Sequence, residues 1–506
     1  MKTTLSNKSI FILIFVVGVV LRLLMANTGN YFFLSDEGRD VLVAKQIALH
    51  EELKGTIMPS SSWSIFPHTT LYYDLLSSVY RHIPHPILIR YLIALFSSIA
   101  IPIAYQIGVK CKDEFSGLLS STVVATSSVL IGYASHISQV ALTPALFSIS
   151  LYFLIFSKDQ QQNVMRTAYL VMSILILTLG LLLHSTMLTV FPIFVVLWGV
   201  YLCKYVTNIW LRCLTVCVIC MAPIIHMRAS TIDVSSLAQI VKALITSNIS
   251  KPLFEVFIHN VTQFYLFLES GLVLGIGSIY ATIVIVLSKS KLKKDSILIQ
   301  LLGILAGGIF ITILLPFEIL HNHYFSALYF VALLIFPLLL SVTTRAFVRG
   351  TAIALTLLFV IHSLHVIHSN IPTRHSFYES RSIAEAVTQN SFIKNDLPFS
   401  IVLPLVNQKG LPRISNWFAG SFWYAIEEFT KKQFVQIVPA SESATNINIP
   451  GFQDRYVLIC IDDSRSSFYQ LENCTNDWFH DFHLPLRFVT KKTLSNISYY
   501  IFETMN

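Results

Sequence analysis

Charge is what this chain has least of. Only 12% of its 506 residues are Asp, Glu, Lys or Arg, against roughly 25% in a soluble domain. That shortage excludes a large soluble enzyme. No stretch of Lys and Arg is dense enough to mark a nucleic-acid patch, so the formal charge of +8 needs another origin and no nucleic-acid partner is expected. Cysteine is also scarce, with seven in all. Cys203, Cys213, Cys217 and Cys220 lie in or beside apolar stretches and read as small packed hydrophobes. Cys213 and Cys217 have helical spacing, but no His or acid joins them as a metal ligand set. Cys460 and Cys474 fall in the C-terminal part and can pair if that part is extracytoplasmic. There is no repeat with a period of roughly 20–50 residues and no low-complexity tract. The first apolar run, Ile10 to Met25, lacks a small-x-small cleavage site and reads as a retained anchor.

What is abundant is apolar surface. Residues of the hydrophobic set make up 54% of the chain, and mean hydropathy is +0.66. The pattern predicts a polytopic membrane protein embedded in a lipid bilayer. Apolar stretches near the ~20 residues needed to cross occur at 9–27, 86–109, 116–133, 140–157, 167–184, 187–203, 209–227, 263–288, 296–316, 324–343 and 347–369. Alternate loops hold Lys2/Lys8, Lys110/Lys112, Lys158/Arg166, Lys204/Arg212, Lys289/Lys291/Lys293/Lys294 and Arg345/Arg349. The opposite loops are longer yet poorer in basic residues. The positive-inside rule therefore puts the N-terminus in the cytoplasm and residues 28–85, 228–262 and 370–506 outside.

The expected fold is an α-helical polytopic membrane protein of about 11 transmembrane helices with a small C-terminal α/β extracytoplasmic domain. Residues 1–369 form the first domain, and its outer loop 28–85 carries an acidic motif. Residues 370–506 form the second. In the loop, Val41 to Leu49 is helix-compatible, and Thr69 to Tyr80 carries Leu71, Tyr72, Leu75, Leu76 and Val79 at helical spacing. The latter reads as a helix lying on the membrane surface, apolar face down. In the tail, Ser376 to Gln389 and Phe422 to Lys432 read as helices. Ser400–Leu403, Phe434–Val438, Tyr456–Ile461, Leu486–Val489 and Ser498–Phe502 read as strands.

Asp36-Glu37-Gly38-Arg39-Asp40, just past the first span, is the stretch hardest to explain by packing. Adjacent carboxylates repel, which raises the pKa of one and fits it to act as a base. The pair can instead hold a divalent cation, or form a solvated turn that caps a helix starting near Arg39. Arg39 shares a helical face with Asp36. It can grip a phosphate bidentately or form a local ion pair. His68 and Tyr72, in the run Pro67 to Tyr73, can donate to an anionic headgroup or simply anchor at the interface. Glu318, His321, His323 and Tyr324 precede the tenth span, where they can bind a metal, face a phosphate or stand as exposed loop polars. Arg22, Arg90 and Glu269 lie inside or at the edge of spans, either functional or snorkelling outward.

These elements, in this order, resemble the GT-C-type polytopic glycosyltransferases. The likeness is closest to glycosyltransferase family 39, which includes the protein O-mannosyltransferases and the lipid A aminoarabinose transferase. A span ending near Asn27 leads to Asp36-Glu37-Gly38-Arg39, similar to the family's acid-acid-x-Arg loop. Pro67 to Leu76 looks like the start of its juxtamembrane helix, and Arg90-Tyr91-Leu92 through Gly108 like its second span. Ser135 to Pro144 resembles its polar turn, Leu179 to His184 the outer end of its fifth span, and His323-Tyr324 its basic-Tyr element. Two departures bear on the phosphate contacts. His68-Thr69-Thr70 stand where the family often has Gly-Pro or Lys-Pro. His136 and Gln139 stand where it often has an arginine.

The resemblance implies a GT-C-like catalytic domain and a membrane glycosyltransferase. It would move a hexosyl or pentosyl group from a polyprenyl-phosphate carrier to an extracytoplasmic acceptor: glycolipid, polysaccharide or protein. It implies Asp36 as base with Glu37 beside it, and Arg39, His68, Tyr72, His323 and Tyr324 at the lipid phosphate. It also implies a multi-pass protein of the plasma (inner) membrane working in cell-envelope glycosylation. The cofactor expectation is limited to a divalent cation. The alternative is a transporter or flippase of a lipid-linked sugar, a class marked by repeats, broken helices and polar groups at the membrane midplane. A non-catalytic assembly partner or sensor is the third reading.

Overall fold

The computed structural model describes residues 6–27, 36–55, 69–229, 297–314, 325–341, 346–370, 399–406, 412–415, 457–463, 486–494 and 497–504, with a few more between 381 and 389. Its helices are α1 (Asn7–Asn27), α2 (Asp36–Leu49), α3 (Leu71–His82), α4 (Pro86–Ser97), α5 (Ala100–Cys111), α6 (Glu114–Thr126), α7 (Ser128–Ala134), α8 (Thr143–Ser157), α9 (Asn163–Leu183), α10 (Phe191–Tyr205), α11 (Ile209–Ala229), α12 (Ile297–Leu314), α13 (Ser326–Ser341) and α14 (Ala346–Asn370). The chain forms two compact units. One comprises Met1–Ala26, Glu52–Leu75 and Leu88–His368. The other comprises Asn27–Glu51, Leu76–Ile87 and Ser369–Asn506.

Every expected span except 263–288, which lies outside the described residues, contains a helix. Asn7–Asn27, Pro86–Cys111, Gln139–Ser157, Asn163–Leu183 and Arg349–Ser369 are each long and apolar enough to cross a membrane. α6 and α7 qualify together, bent by 55°. α10, α11, α12 and α13 supply shorter apolar helices. The chain is a multi-pass helical membrane protein.

Local chemistry sets where spans begin. Asp113 is the N-cap of α6, accepting from the Ser116 amide at 2.9 Å. Pro144 and Pro192 sit in the first turns of α8 and α10, where a missing N–H costs nothing. His184 leaves helical geometry and ends α9, and a 3₁₀ turn over Ser185–Thr189 follows. The sixth span therefore opens at Phe191, four residues later than the hydropathy pattern placed it. α5 and α6 pack closely because Gly108 faces Gly117. A Cβ on Gly108 would stand 2.7 Å from the Gly117 Cα.

The described basic loops near residues 7, 110–114, 158–166, 204–212 and 349 are joined by direct bonds on one face of the first unit; Lys289 to Lys294 lie outside the described residues. Lys110 pairs with Asp159 at 2.7 Å, and Arg349 with Asp113 at 2.9 Å. Asn7 bonds Glu114, Asn163 bonds Thr207 at 2.7 Å, and Arg166 donates to the Tyr205 carbonyl. Deeper in this unit, Phe147, Phe194, Trp198 and Phe330 stack edge to face, with Phe147–Phe194 centroids 5.5 Å apart. The Trp198 indole donates to Ser173 Oγ at 3.0 Å, so its polar atom is satisfied in the core.

The C-terminal part holds a five-stranded sheet of β1 (Phe399–Val406), β2 (Pro412–Ser415), β3 (Val457–Asp463), β4 (Leu486–Leu494) and β5 (Ile497–Thr504). Its order is β2-β1-β3-β5-β4, parallel only between β1 and β3. Four strands match the sequence expectation. β2 was missed because a proline opens it, and its edge position is what tolerates that residue. The expected strand Phe434–Val438 and helix Phe422–Lys432 lie outside the described residues. Residues 381–382 and 384–386 are helical, within the expected helix Ser376 to Gln389.

Two expectations change. Arg22 and Arg90 are 1% and 0% exposed, so neither snorkels. Cys203, Cys213, Cys217 and Cys220 are exposed, lining the outer surface of their helices instead of packing inward. Glu269 and Cys474 lie outside the described residues.

Candidate active site

α2 starts at Asp36, three residues earlier than the sequence suggested, so Asp36 is the first helical residue and not a cap before Arg39. Asp36 and Glu37 occupy the first turn, where free N–H groups and the helix dipole favour carboxylates. Glu37 is 4% exposed and Asp40 is 1% exposed. The backbone puts Asp36 and Arg39 three apart along this helix. Asp40, buried like Glu37, is a residue to which the sequence alone assigns no role. The signal for it was present, since three acids within five residues are rare in a chain this poor in charge.

α3 is anchored at its start. Thr69 Oγ1 donates to the Leu182 carbonyl at 2.6 Å and accepts from the Leu71 amide at 3.3 Å. Asp74 accepts from Thr70 Oγ1 at 3.0 Å and from the Gly55 amide at 2.9 Å. Gly55 has φ +74°, a conformation open to glycine. The run containing Thr69 and Tyr72 is thereby fixed against the C-terminal end of α9. The buried face of α3 is Tyr72, Tyr73, Leu76 and Tyr80, whereas Leu75 is exposed. Of the stripe expected through Leu71, Tyr72, Leu75, Leu76 and Val79, Tyr72 and Leu76 are buried and Leu75 is not. Tyr72 and Tyr73 lie ring to ring at 5.4 Å.

Two residues beyond Leu182 stands His184, buried at the close of α9. Its Nδ1 accepts from the Thr186 amide at 3.2 Å and lies 2.9 Å from Thr186 Oγ1. With Nδ1 accepting, the neutral ring carries its proton on Nε2. Thr189 donates to the Thr186 carbonyl at 2.8 Å, which closes the turn. The polar turn that follows α7 leads into Gln139, a buried side chain whose Oε1 has no hydrogen-bond partner among the described residues. Thr143 Oγ1 lies 2.7 Å from Ser326 Oγ, so the start of α8 meets the start of α13. His323 and Tyr324 precede Ser326 by three and two residues. They lie outside the described residues, as do His68, Glu318 and His321.

Within the first unit, two contacts tie the ends of these helices: Thr69 with the Leu182 carbonyl of α9, and Thr143 with Ser326 at the start of α13. The sequence marks these stretches but does not single out the buried His184. Its signal was a lone histidine between two apolar runs. Among the described residues no three His, Cys, Asp or Glu side chains come together as a metal ligand set.

No protein-family profile matches the chain. No curated protein matches it. Among solved structures the chain is similar to ArnT from Cupriavidus metallidurans in the apo state, at 11% identity and a TM-score of 0.58 over 98% of each chain. It is similar to the same protein bound to undecaprenyl phosphate, at 11% identity and a TM-score of 0.48 over 97% of each chain. It is also similar to the Archaeoglobus fulgidus oligosaccharyltransferase in complex with zinc and sulfate, at 10% identity and a TM-score of 0.47. That match covers 83% of this chain and 61% of the archaeal one, so the chain spans about three fifths of that enzyme's length. The apo ArnT match runs end to end, and the two chains share a fold. The polytopic helical fold expected from the sequence is the fold shared with ArnT.

Proposed function

We propose that this protein is a membrane glycosyltransferase that takes a sugar from a polyprenyl-phosphate carrier and passes it to an acceptor on the outer face of the plasma membrane. The observation that carries the reading is the acid-acid-x-Arg run at the start of α2, directly after the first span of a chain with the ArnT fold. A carboxylate at that place can draw the proton from an acceptor hydroxyl or amine as it attacks the sugar carbon. The lipid phosphate leaves from the opposite side of that carbon, and its charge builds in the transition state. Fixed cationic and N–H donors are worth most there. Asp36 takes the role of base with Glu37 beside it. Arg39, Tyr72, His68, His323 and Tyr324 take the phosphate, with His184 Nε2–H as a further donor. The sheet domain, residues 370–506, stands on the same side and meets the acceptor.

The transporter reading has one observation in its favour, the broken span at Ser127. The Val124 and Ala125 carbonyls at that break accept from Arg22 of the neighbouring helix, so the break is held by the protein's own donors. The transferase reading therefore stands ahead of it.

The test is sugar transfer in membranes supplied with polyprenyl-phosphate sugars, comparing wild type with Asp36→Asn. The substitution keeps shape and removes charge. Loss of at least about a hundredfold in rate, with insertion unchanged, is expected for a general base. Equal rates in the two proteins overturn the role of Asp36. Movement of labelled lipid-linked sugar across the bilayer without transfer would replace the transferase by the flippase.

A further inference from the structure

Arg22 is a cation 1% exposed within a membrane span, and the proposed chemistry does not use it. Its surroundings give it a task. α6 stops at Thr126, Ser127 takes φ −57° and ψ 118°, and α7 continues at a 55° bend. Such a break frees the last carbonyls of α6. Ser127 N–H serves Val123 at 3.0 Å. The next two are served by Arg22, whose Nη2 donates to the Val124 carbonyl at 2.9 Å and Nη1 to the Ala125 carbonyl at 3.0 Å. Nη1 also donates to the Gly18 carbonyl of its own helix at 3.0 Å, which holds the side chain in place. On the other side of the break, Ser127 Oγ accepts from the Leu130 amide at 3.3 Å and its carbonyl from Ile131 at 2.9 Å.

Inside a bilayer no water is present to take over these carbonyls, so a bend of this kind survives only where protein groups satisfy it. A guanidinium suits the place because it offers several donors in one plane. Its charge also complements the negative end of α6. α1 comes close enough to deliver it only because residue 18 is glycine. A Cβ there would stand 2.9 Å from the Ala125 Cβ and 3.2 Å from the Ala125 Cα.

We infer that Arg22 is a positioning residue: a cap supplied by α1 that holds the broken span in its bend and so sets where α7 delivers the outer polar turn from Ser135 to Gln139. α7 runs directly into that turn. One side chain of α1 therefore bears on the span that leads to it. The inference concerns the bundle and does not require the transferase reading.

The experiment is amide hydrogen exchange of the full-length protein in lipid nanodiscs, comparing wild type, Arg22→Lys, Arg22→Met and Gly18→Ala. Arg22→Met should raise exchange across 127–139 by roughly tenfold, as expected from losing charge-assisted hydrogen bonds at one helix end. Exchange in 143–157 and 163–183 should stay at the wild-type level. Arg22→Lys, with one cationic donor group, should recover part of the protection. Gly18→Ala should reproduce the Arg22→Met pattern although the arginine is retained, because α1 must back away from Ala125. Wild-type exchange over 127–139 in Arg22→Met overturns the inference. So does a rise spread evenly over all helices, which would make Arg22 a general stability residue. If Arg22→Met does not accumulate, Arg22→Lys and Gly18→Ala decide by the same pattern. Wild-type exchange in both then overturns it. None of these readouts depends on sugar transfer, so a failure here and a failure of the proposed function are separate results.

Discussion

Asp113 shows how one side chain can do two jobs at a helix start. One carboxylate oxygen caps α6 through the Ser116 amide and hydroxyl, at 2.9 and 2.7 Å, and the other holds Arg349 at 2.9 Å. Burial pushes its pKa up. The two Ser116 bonds and the nearby charges of Lys112 and Arg349 outweigh that, so the carboxyl titrates below its ordinary value. The sign follows from linkage. A depressed carboxylate contributes stability above its unfolded pKa, near 3.9, and loses that contribution as pH falls through the folded value. Asp113→Asn keeps a good cap and removes the charge. Its thermal midpoint in detergent should lie below wild type at pH 7, and the gap should close as pH falls below about 4. A constant gap across pH would assign the effect to capping geometry alone. At this same scale, Asp36 and Arg39 were legible from sequence because acids and arginines are rare here. The burial of Asp40 and His184 was not, because burial is a property of neighbours and not of the residue.

At the scale of elements, α9 and α6 share a problem: each ends inside or at the edge of the membrane with carbonyls to satisfy. α6 is served by Arg22, and α9 by Thr69, which reaches back from the start of α3 to the Leu182 carbonyl. Thr69→Val keeps the branched shape and deletes the donor, leaving a buried carbonyl at a cost of about 1–3 kcal/mol. We expect the midpoint of thermal inactivation to drop by roughly 2–4 °C and the Michaelis constant for the lipid-phosphate donor to rise, since the Thr69–Tyr72 run would lose its anchor. An unchanged midpoint would mean the carbonyl finds another partner. Helix positions were readable from hydropathy, because the bilayer demands long apolar runs. The break at Ser127 was not, because Ser and Thr are tolerated in a span and nothing in 116–133 signals a bend. The apolar stripe of α3 was legible in part: Tyr72 and Leu76 are buried as expected, and only packing added Tyr73 and Tyr80 and left Leu75 exposed.

For the molecule as a whole, the pattern of bonds among basic loops matters more than any single pair. Residues around 7, 110–114, 158–166, 204–212 and 349 are joined by direct side-chain contacts, so these loops share one face. By the positive-inside rule we propose that this face is cytoplasmic. The first-loop segment Asn27–Glu51 and the tail Ser369–Asn506 belong to one compact unit, and we propose that both lie outside. Tags at the two ends test the orientation. A tag at the C-terminus should be cleaved by protease added to intact spheroplasts, and one at the N-terminus should be protected until the membrane is opened. The reverse pattern would invert the topology and remove the case for chemistry at the outer face.

Length and hydropathy alone determined that this is a polytopic helical membrane protein, because a bilayer imposes span length on any chain that crosses it. The order of short polar stretches between spans pointed to the fold that the chain shares with ArnT. Tertiary structure alone decided which polar groups are buried, which of them meet, and how the freed carbonyls of broken or ended helices are satisfied. Arg22 reaches Val124 and Ala125 from 102 and 103 residues away, and Thr69 reaches Leu182 from 113. Pairings at that separation depend on how helices pack, and packing between apolar surfaces leaves no local mark in the residues that make it.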